Sequence, residues 1–341
     1  MNAEGVAVHL HYFSEEKNNT EDKIQPYCAS IHYYKRNITF KNVLKSIPYI
    51  VQTRNDTKLL ENIQNDDFPI LFEGLHTTFL LNHPALKNRK KIVRLHNIEW
   101  LYYGKLFDLA LGLKDKLYFY FEYKKLIKYQ STLENSQALL CLSTSDTTYY
   151  TNRFPNIPTT FIPAFHQNTE SKTKIGRGEY ILFHGNLSIT DNYLPIVRLL
   201  KNQLKNCQLP IIIAGKNPTE HLIETVQRFK NIQLISNPSY EDLETLIQDA
   251  HINIIFSEIE TGVKLKLINT LFLGRFCFTN HAAIIGSELQ NTTILVDENN
   301  IEQQIKHYFQ QEFTTELLTE RIKYLSLYNN KKNSIQIISY L

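Results

Sequence analysis

Apolar and polar positions alternate along this chain in two rhythms. Short runs such as VAVHLHYF (6–13), ASIHYY (29–34), PILFEGL (69–75), KIVRLHN (91–97), ALLCLS (138–143) and TTFIPAF (159–165) have the length and branched or aromatic content of strands. Between them lie segments with helical periodicity, including one read as a single long helix from Glu99 to Leu133. Ser143-Thr144-Ser145-Asp146 predicts a helix start, because Ser and Asp side chains satisfy free backbone amides there. A polar, strandless stretch follows from His166 to Gly178 and reads as a linker. The rhythm then restarts with YILFHG (180–185), PIIIAG (210–215), IQLIS (232–236), INIIFS (252–257), RFCFTN (275–280) and TILVD (293–297).

Strands alternating with helices at about 20 to 30 residues per unit predict parallel sheets wrapped in helices, here as two successive doubly wound domains. The expected boundaries are 1–166 and 167–325, with 326–341 crossing back to the first domain. The first domain opens on what reads as a second strand, with Glu4-Gly5 like the tail of a helix, so a first βα unit is expected to be absent. Sheets of this kind bind ligands outside the carboxyl ends of their strands.

Composition narrows the class without naming it. The 341 residues are 43% hydrophobic and 21% charged, ordinary for a globular protein. A net charge of +3 and a pI near 8.4 fall short of a dedicated nucleic-acid binder. Cys28, Cys141, Cys207 and Cys277 are scattered, without a CxxC pair, and read as reduced buried thiols, not zinc ligands. MNAEGVAVHLHYF lacks the basic start and apolar core of a signal peptide, and no apolar run reaches about 18 residues, so a cytoplasmic location is expected.

The strand ends carry the candidate chemistry. YILFHG leads into Asn186, PIIIAG into Lys216-Asn217, IQLIS into Asn237-Pro238, and INIIFSE toward Thr261-Gly262. Glycine at a strand end allows a ligand to approach the backbone, and the following helix offers free amides to an anion. Each glycine alone fits an ordinary tight turn; four such ends, the last with Lys264 and Lys266, point to an anion site. Lysine in a first helical turn opposes the helix dipole by about 0.3–1 kcal/mol, the wrong sign for stability and the right one for a diphosphate. The two lysines, about 200° apart on a helix, face one ligand only if Lys264 precedes the helix.

In the first half, VRLHNIEW ends a strand at His96-Asn97, where a ligand contact and a helix cap fit equally well. LFEGLHT sets Glu73 and His76 beside it, Glu73 being read as a structural acceptor for a loop amide. The helix KDKLYFYFEYKKLIKY (114–129) carries five lysines and six aromatics. It fits an anionic membrane surface, but core packing with a solvated lysine face is favoured. KNRKK (87–91) is a second basic patch that fits an ordinary exposed loop.

With ILFHGNLS, IIIAGKNP, TGVKLKLINTLFLGRFCFTN, PILFEGLHT and VRLHNIEW in this order, the chain resembles the GT-B glycosyltransferases, most closely the retaining family 4 group, over almost its whole length. The resemblance implies two Rossmann-like domains facing a central cleft. It implies transfer of a sugar, with retention, from a GDP- or UDP-sugar to a glycan or lipid-linked acceptor, without a metal or other cofactor, as in polysaccharide biosynthesis. His96 matches a residue that approaches the donor sugar. Gly185 and Asn186 match the loop facing the diphosphate, Lys216 a position near the nucleotide, and Asn237-Pro238 the loop framing the base. Thr261 and Gly262 would offer amides, and Lys264 and Lys266 charge, to the phosphates. Asn269 stands where many relatives place the second Glu of a Glu-x7-Glu element that holds the ribose. The absent opening unit would normally supply a glycine-rich loop, and its loss would impair activity. A degenerate GT-B protein that binds a nucleotide sugar or a protein partner without turnover is the alternative. An epimerase or dehydrogenase is disfavoured because no G-x-G-x-x-G follows a strand. Peripheral contact with the inner membrane face is compatible with these features; nucleic acid is not an expected partner.

Overall fold

In the computed structural model, which describes residues 1–17 and 21–341, the chain divides into two compact units. Unit 1 comprises Met1–Pro163 together with Asn330–Leu341, and unit 2 comprises Ala164–Asn329.

Unit 1 holds strands β1 (His9–Ser14), β2 (Ser30–Lys35), β3 (Ile70–Glu73), β4 (Lys91–Leu95), β5 (Ala138–Cys141) and β6 (Thr159–Phe161). They form two separate parallel sheets, β1-β2 and β3-β4-β5-β6. The helices used below are α1 (Thr57–Ile63), α2 (Glu99–Leu109), α3 (Leu113–Tyr129) and α4 (Thr144–Arg153). Ser143 Oγ accepts from the Asp146 amide at 3.0 Å, the predicted cap of α4. Every residue of β4 and β5 is buried, as expected for strands covered on both faces by helices.

The helix expected to run from Glu99 to Leu133 is instead two helices followed by a 3-10 turn. Ala110 is extended (ψ 131°) and Gly112 is the extended N-cap of α3, so the backbone ladder breaks between them. The outer face of α3 also differs from the expected lysine face. Glu122 and Leu126 point inward, Glu122 accepting from the Tyr49 amide at 2.6 Å. Outward, Leu113, Leu117 and Phe121 form an i, i+4, i+8 stripe, 74%, 51% and 58% exposed, beside Leu111 at 78%. Lys114, Lys124 and Lys128 share that side by helical spacing.

Unit 2 holds β7 (Ile181–Asn186), β8 (Ile211–Lys216), β9 (Ile232–Ser236), β10 (Ile252–Ile255), β11 (Phe276–Thr279) and β12 (Ile294–Leu295), all paired in parallel. Their order across the sheet is β12-β11-β10-β7-β8-β9. Numbered from the first strand of the unit, that is 6-5-4-1-2-3, the Rossmann order, with its reversal point between β7 and β10. Helices α5 (Thr190–Lys201) and α6 (Leu265–Leu273) follow β7 and β10, and α7 (Asn330–Ile338) returns to unit 1. Phe183, Ile213, Ile254, Phe278 and Ile196 lie in one buried core.

The strandless stretch from His166 to Gly178 is not a free linker. Ser171 and Thr173 hydroxyls donate to the Phe272 carbonyl, Lys174 pairs with Asp249, and Gly176 bridges Phe313. Side-chain and backbone partners within unit 2 replace the regular ladder its polar sequence cannot form.

Candidate functional site

The reversal point of a doubly wound sheet leaves a crevice outside the carboxyl ends of its two central strands. In unit 2 those are the ends of β7 and β10, which lead to Gly185-Asn186 and to the loop carrying Thr261 and Gly262. At the register pair Gly185–Gly215 the backbones approach so closely that a Cβ on Gly215 would lie 1.9 Å from the Gly185 carbonyl oxygen. Gly185 itself has φ 149°, a conformation that favours glycine. These two glycines are structurally required and also keep the strand end bare.

Beyond β10 the chain turns through Thr261, 1% exposed, and Gly262, with φ 67°. Lys264 is the extended N-cap residue of α6 (φ −84°, ψ 101°), and its Nζ donates to the Thr261 carbonyl at 3.0 Å. It therefore precedes the helix, which is the condition for both lysines to serve one ligand. Lys266 Nζ donates to Asn192 Oδ1 at 2.7 Å and to the Phe256 carbonyl at 3.4 Å. Asn192, in the first turn of α5, donates in turn to the Asn186 carbonyl at 2.9 Å. A chain of contacts thus joins the end of β7 to the start of α6. Burial pushes the Lys266 ammonium down to about 8, against the pull of Asp191 and with the push of Lys264.

Asp191 is buried and accepts from Ser257 Oγ at 2.7 Å and from the Glu258 amide at 2.5 Å, fixing the loop after β10. Beneath it, His184 of β7 is buried against Thr270 Oγ1 at 2.8 Å, and burial, then Lys266, lower it to about 3. A neutral imidazole there avoids a second cation beside Lys266. None of Asp191, Asn192 or His184 was singled out from the sequence. Asp-Asn in the first turn of an otherwise apolar helix was the available signal.

The remaining predicted residues sit at neighbouring strand ends. Lys216 closes β8 and is exposed. Asn237 Oδ1 accepts from the Asn217 amide at 2.9 Å, tying the loop after β9 to that after β8. Both asparagines are left-handed (φ 50° and 53°), a conformation their short polar side chains tolerate. Asn269, one turn into α6, accepts at Oδ1 from the buried Asn168 at 2.9 Å.

In unit 1 the ends of β3 and β4 form a separate cluster. Glu73 Oε1 lies 2.9 Å from His96 Nε2 and 3.0 Å from Arg94 Nη1, which donates to it. Glu73 was expected to receive a loop amide; it receives these side chains instead, because Glu73 and Arg94 are register partners on adjacent strands. Burial alone would raise the Glu73 carboxyl, yet His96 and Arg94 together hold it below its ordinary value. Arg94 also donates to the Pro163 carbonyl at 3.1 Å. His76 is driven to about 3 by burial, then Arg54 and His96, so it is neutral. Glu99 is buried and rises to about 7 by loss of solvent. Among the described residues, no group of three or more His, Cys, Asp or Glu side chains could hold a metal ion.

No family model matches the sequence. A Klebsiella pneumoniae relative described as an uncharacterized 44.6 kDa protein in the cps region is 24% identical over 280 residues, covering 77% of this chain and 71% of that one. Among solved structures, the OtsA apo structure aligns with a TM-score of 0.63 at 9% identity, covering 99% of this chain and 94% of that one. Trehalose 6-phosphate synthase of Burkholderia multivorans aligns at 0.62 and 9% identity, covering 98% and 97%. Anabaena Alr3699/HepE, in complex with UDP and glucose, aligns at 0.62 and 10% identity, covering 96% and 91%. At such identities the likeness speaks for the fold alone, and that fold is GT-B, with two Rossmann-like domains.

Proposed function

We propose that this protein is a glycosyltransferase that takes a sugar from a UDP- or GDP-sugar and passes it, with retention, to a glycan or lipid-linked acceptor. One observation carries the reading. At the reversal point of the unit 2 sheet, a partly desolvated cation, Lys266, sits beside Lys264, the Gly262 turn and the bare glycine end of β7. That combination suits a diphosphate, whose charge both lysines neutralise and whose oxygens the turn's amides reach. Structural neighbours of this fold, one of them holding UDP and glucose, support the same reading.

In this mechanism the bond from anomeric carbon to diphosphate breaks while the acceptor oxygen attacks from the same face. The leaving phosphate oxygen takes the acceptor proton, and Lys264 and Lys266 stabilise the charge that develops on it, a preorganised electrostatic contribution. Gly185 and Asn186 border the diphosphate, Lys216 and Asn237 the nucleoside, Asn269 the ribose, and His96 the sugar. No metal or other cofactor is needed for these roles.

Calorimetric titration with UDP-, GDP- and the corresponding sugar nucleotides tests the reading. Binding by one nucleotide series, lost in Lys266→Met and Lys264→Ala, is expected; no binding by either series refutes it. The second reading, binding without turnover, is favoured by Asn269, an uncharged side chain already engaged by Asn168. Donor binding with neither transfer nor slow hydrolysis would establish it.

We further propose that α3 rests on an anionic membrane surface, as suits a lipid-linked acceptor. The support is the exposed Leu113-Leu117-Phe121 stripe among lysines, because apolar residues that insert and cations that meet headgroups make such a face. No helix among the described residues is long and apolar enough to span a bilayer. Cosedimentation with phosphatidylglycerol vesicles should fall in Leu117→Asp/Phe121→Asp; equal binding by the variant refutes this contact.

A further inference from the structure

The carboxyl end of β2 carries two arginines for which unit 1 supplies few acceptors. Arg36 follows the last residue of the strand, and Arg54 lies just beyond the short helix Tyr49–Gln52. The Asn37 amide donates to the Thr53 carbonyl at 2.9 Å, so the strand end and that turn form one piece. Arg36 Nη2 donates to Thr53 Oγ1 at 3.4 Å, which brings it beside Arg54. Its Nη1 lies 3.5 Å from Glu15, a carboxylate 62% exposed, and its Nε is buried with no hydrogen-bond partner among the described residues. Arg54 donates to the Ile50 carbonyl of its own turn and forms no ion pair among the described residues.

Neighbouring carboxylates are committed elsewhere. Glu73 holds His96 and Arg94, and Asp56 caps α1 through the Lys58 amide. Glu99 is buried and rises to about 7 by loss of solvent, so it is only partly charged at neutral pH. Burial, then the charge of Arg36, lowers Arg54 to about 10, and both guanidiniums oppose a proton on His76. Two half-buried like charges side by side work against the folded state unless an anion joins them. Pinning the turn to β2 takes a single guanidinium, which Arg36 already provides.

Placement in the fold points the same way, because sheets of this kind bind ligands outside the carboxyl ends of their strands. The rings of His76 and His96 lie 6.0 Å apart, so the series Arg36, Arg54, His76, His96 leads from the two cations to the residue assigned to the transferred sugar.

We propose that Arg36 and Arg54 bind a phosphate on the acceptor, so that the sugar receiving the transfer is a phosphorylated one, with its phosphate at the arginines and its reacting hydroxyl toward His96. A guanidinium fork matches two phosphate oxygens at once, and two such forks balance the charge of about −1.5 to −2 on a phosphate monoester. A free sugar phosphate and the phosphate beside the sugar of a lipid-linked acceptor share this chemistry. The word acceptor rests on the glycosyl-transfer reading; the anion site of unit 1 does not.

Calorimetric titration of the full chain with inorganic phosphate, glucose 1-phosphate, a short-chain prenyl diphosphate glucose and plain glucose tests the proposal, with UDP and GDP titrated in parallel. At least one phosphate-bearing probe should bind about tenfold or more tightly than glucose. The tighter of the free and prenyl-linked sugars identifies the source. That affinity should fall about tenfold or more in Arg36→Gln and in Arg54→Gln, recover in part in Arg54→Lys, and stay unchanged in Lys266→Met. Cooperative urea unfolding checks that each variant is folded. No preference for phosphate over plain glucose, or unchanged affinity in either glutamine variant, overturns the proposal. So does loss in Lys266→Met instead, which would put the phosphate at the unit 2 lysines. Nucleotide binding without phosphate preference sinks the anion site alone, whereas arginine-dependent phosphate binding without nucleotide binding sinks the donor reading alone.

Discussion

Lys266 makes one prediction with two opposite slopes. Its ammonium sits at about 8 in the folded chain against an ordinary 10.5, a gap of about 2.5 pH units. A diphosphate needs the protonated form, so at pH 9 only about a tenth of the free protein is ready to bind, compared with about nine tenths at pH 7. Donor affinity should therefore fall about tenfold for each pH unit above 8, until the proton is lost from the complex too. Folding runs the other way. Between about 8 and 10.5 the unfolded chain holds a proton that the folded chain has released, so this group's contribution to stability rises with pH across that window. The full gap is worth at most about 3.5 kcal/mol, at about 1.4 kcal/mol per unit, and half that is realistic for a half-buried side chain. The assay is UDP and GDP binding by calorimetry and urea unfolding, each from pH 7 to 10, on the natural protein and Lys266→Met. The difference between the two should show affinity falling and stability rising together. Lys266→Arg, which stays charged, should keep affinity flat above pH 8. Donor affinity that declines equally in Lys266→Met would remove this lysine from the site.

Other expectations are narrower. Gly215→Ala, with its Cβ forced to within 1.9 Å of the Gly185 carbonyl, should destabilise unit 2 by about 2 kcal/mol or more in urea unfolding. His184, held neutral down to about 3 by burial and Lys266, should make stability fall as pH drops from 6.5, by about 1.4 kcal/mol per pH unit, a slope that His184→Gln should lack. Glu73→Ala leaves the Arg94 guanidinium, 6% exposed, without its carboxylate and should cost about 1–3 kcal/mol, whereas Glu73→Gln should cost less by keeping an acceptor.

The strands were legible because each is a short apolar run rich in branched or aromatic residues, and every one of the twelve lies within or beside such a run. The long helix was misread because Gly112 alone is a weak breaker; only the extended Ala110 beside it, set by tertiary context, splits the helix. The exposed stripe of α3 was hidden because an outward leucine and an inward one are the same letter. It took buried Glu122 to show which face turns in. The site lysines stood out because charge in a first helical turn opposes the dipole. Asn192, which grips Lys266 from 74 residues away, could not be found by spacing. Proximity of that kind is created by the sheet's reversal point, not by local sequence.

Unit 1 is discontinuous, and that sets an order of assembly. Its residues 330–341, with buried Ile337 and a Tyr340–Thr160 hydroxyl contact to β6, emerge from the ribosome only after all of unit 2. The first unit to be started is therefore the last to be finished, and for the time taken to make 166 residues it lacks α7. A premature stop after Asn329 would spare the sheet that carries the lysines and strip the earlier unit. Loss of the final dozen residues should thus register as a defect in the amino-terminal half of the protein.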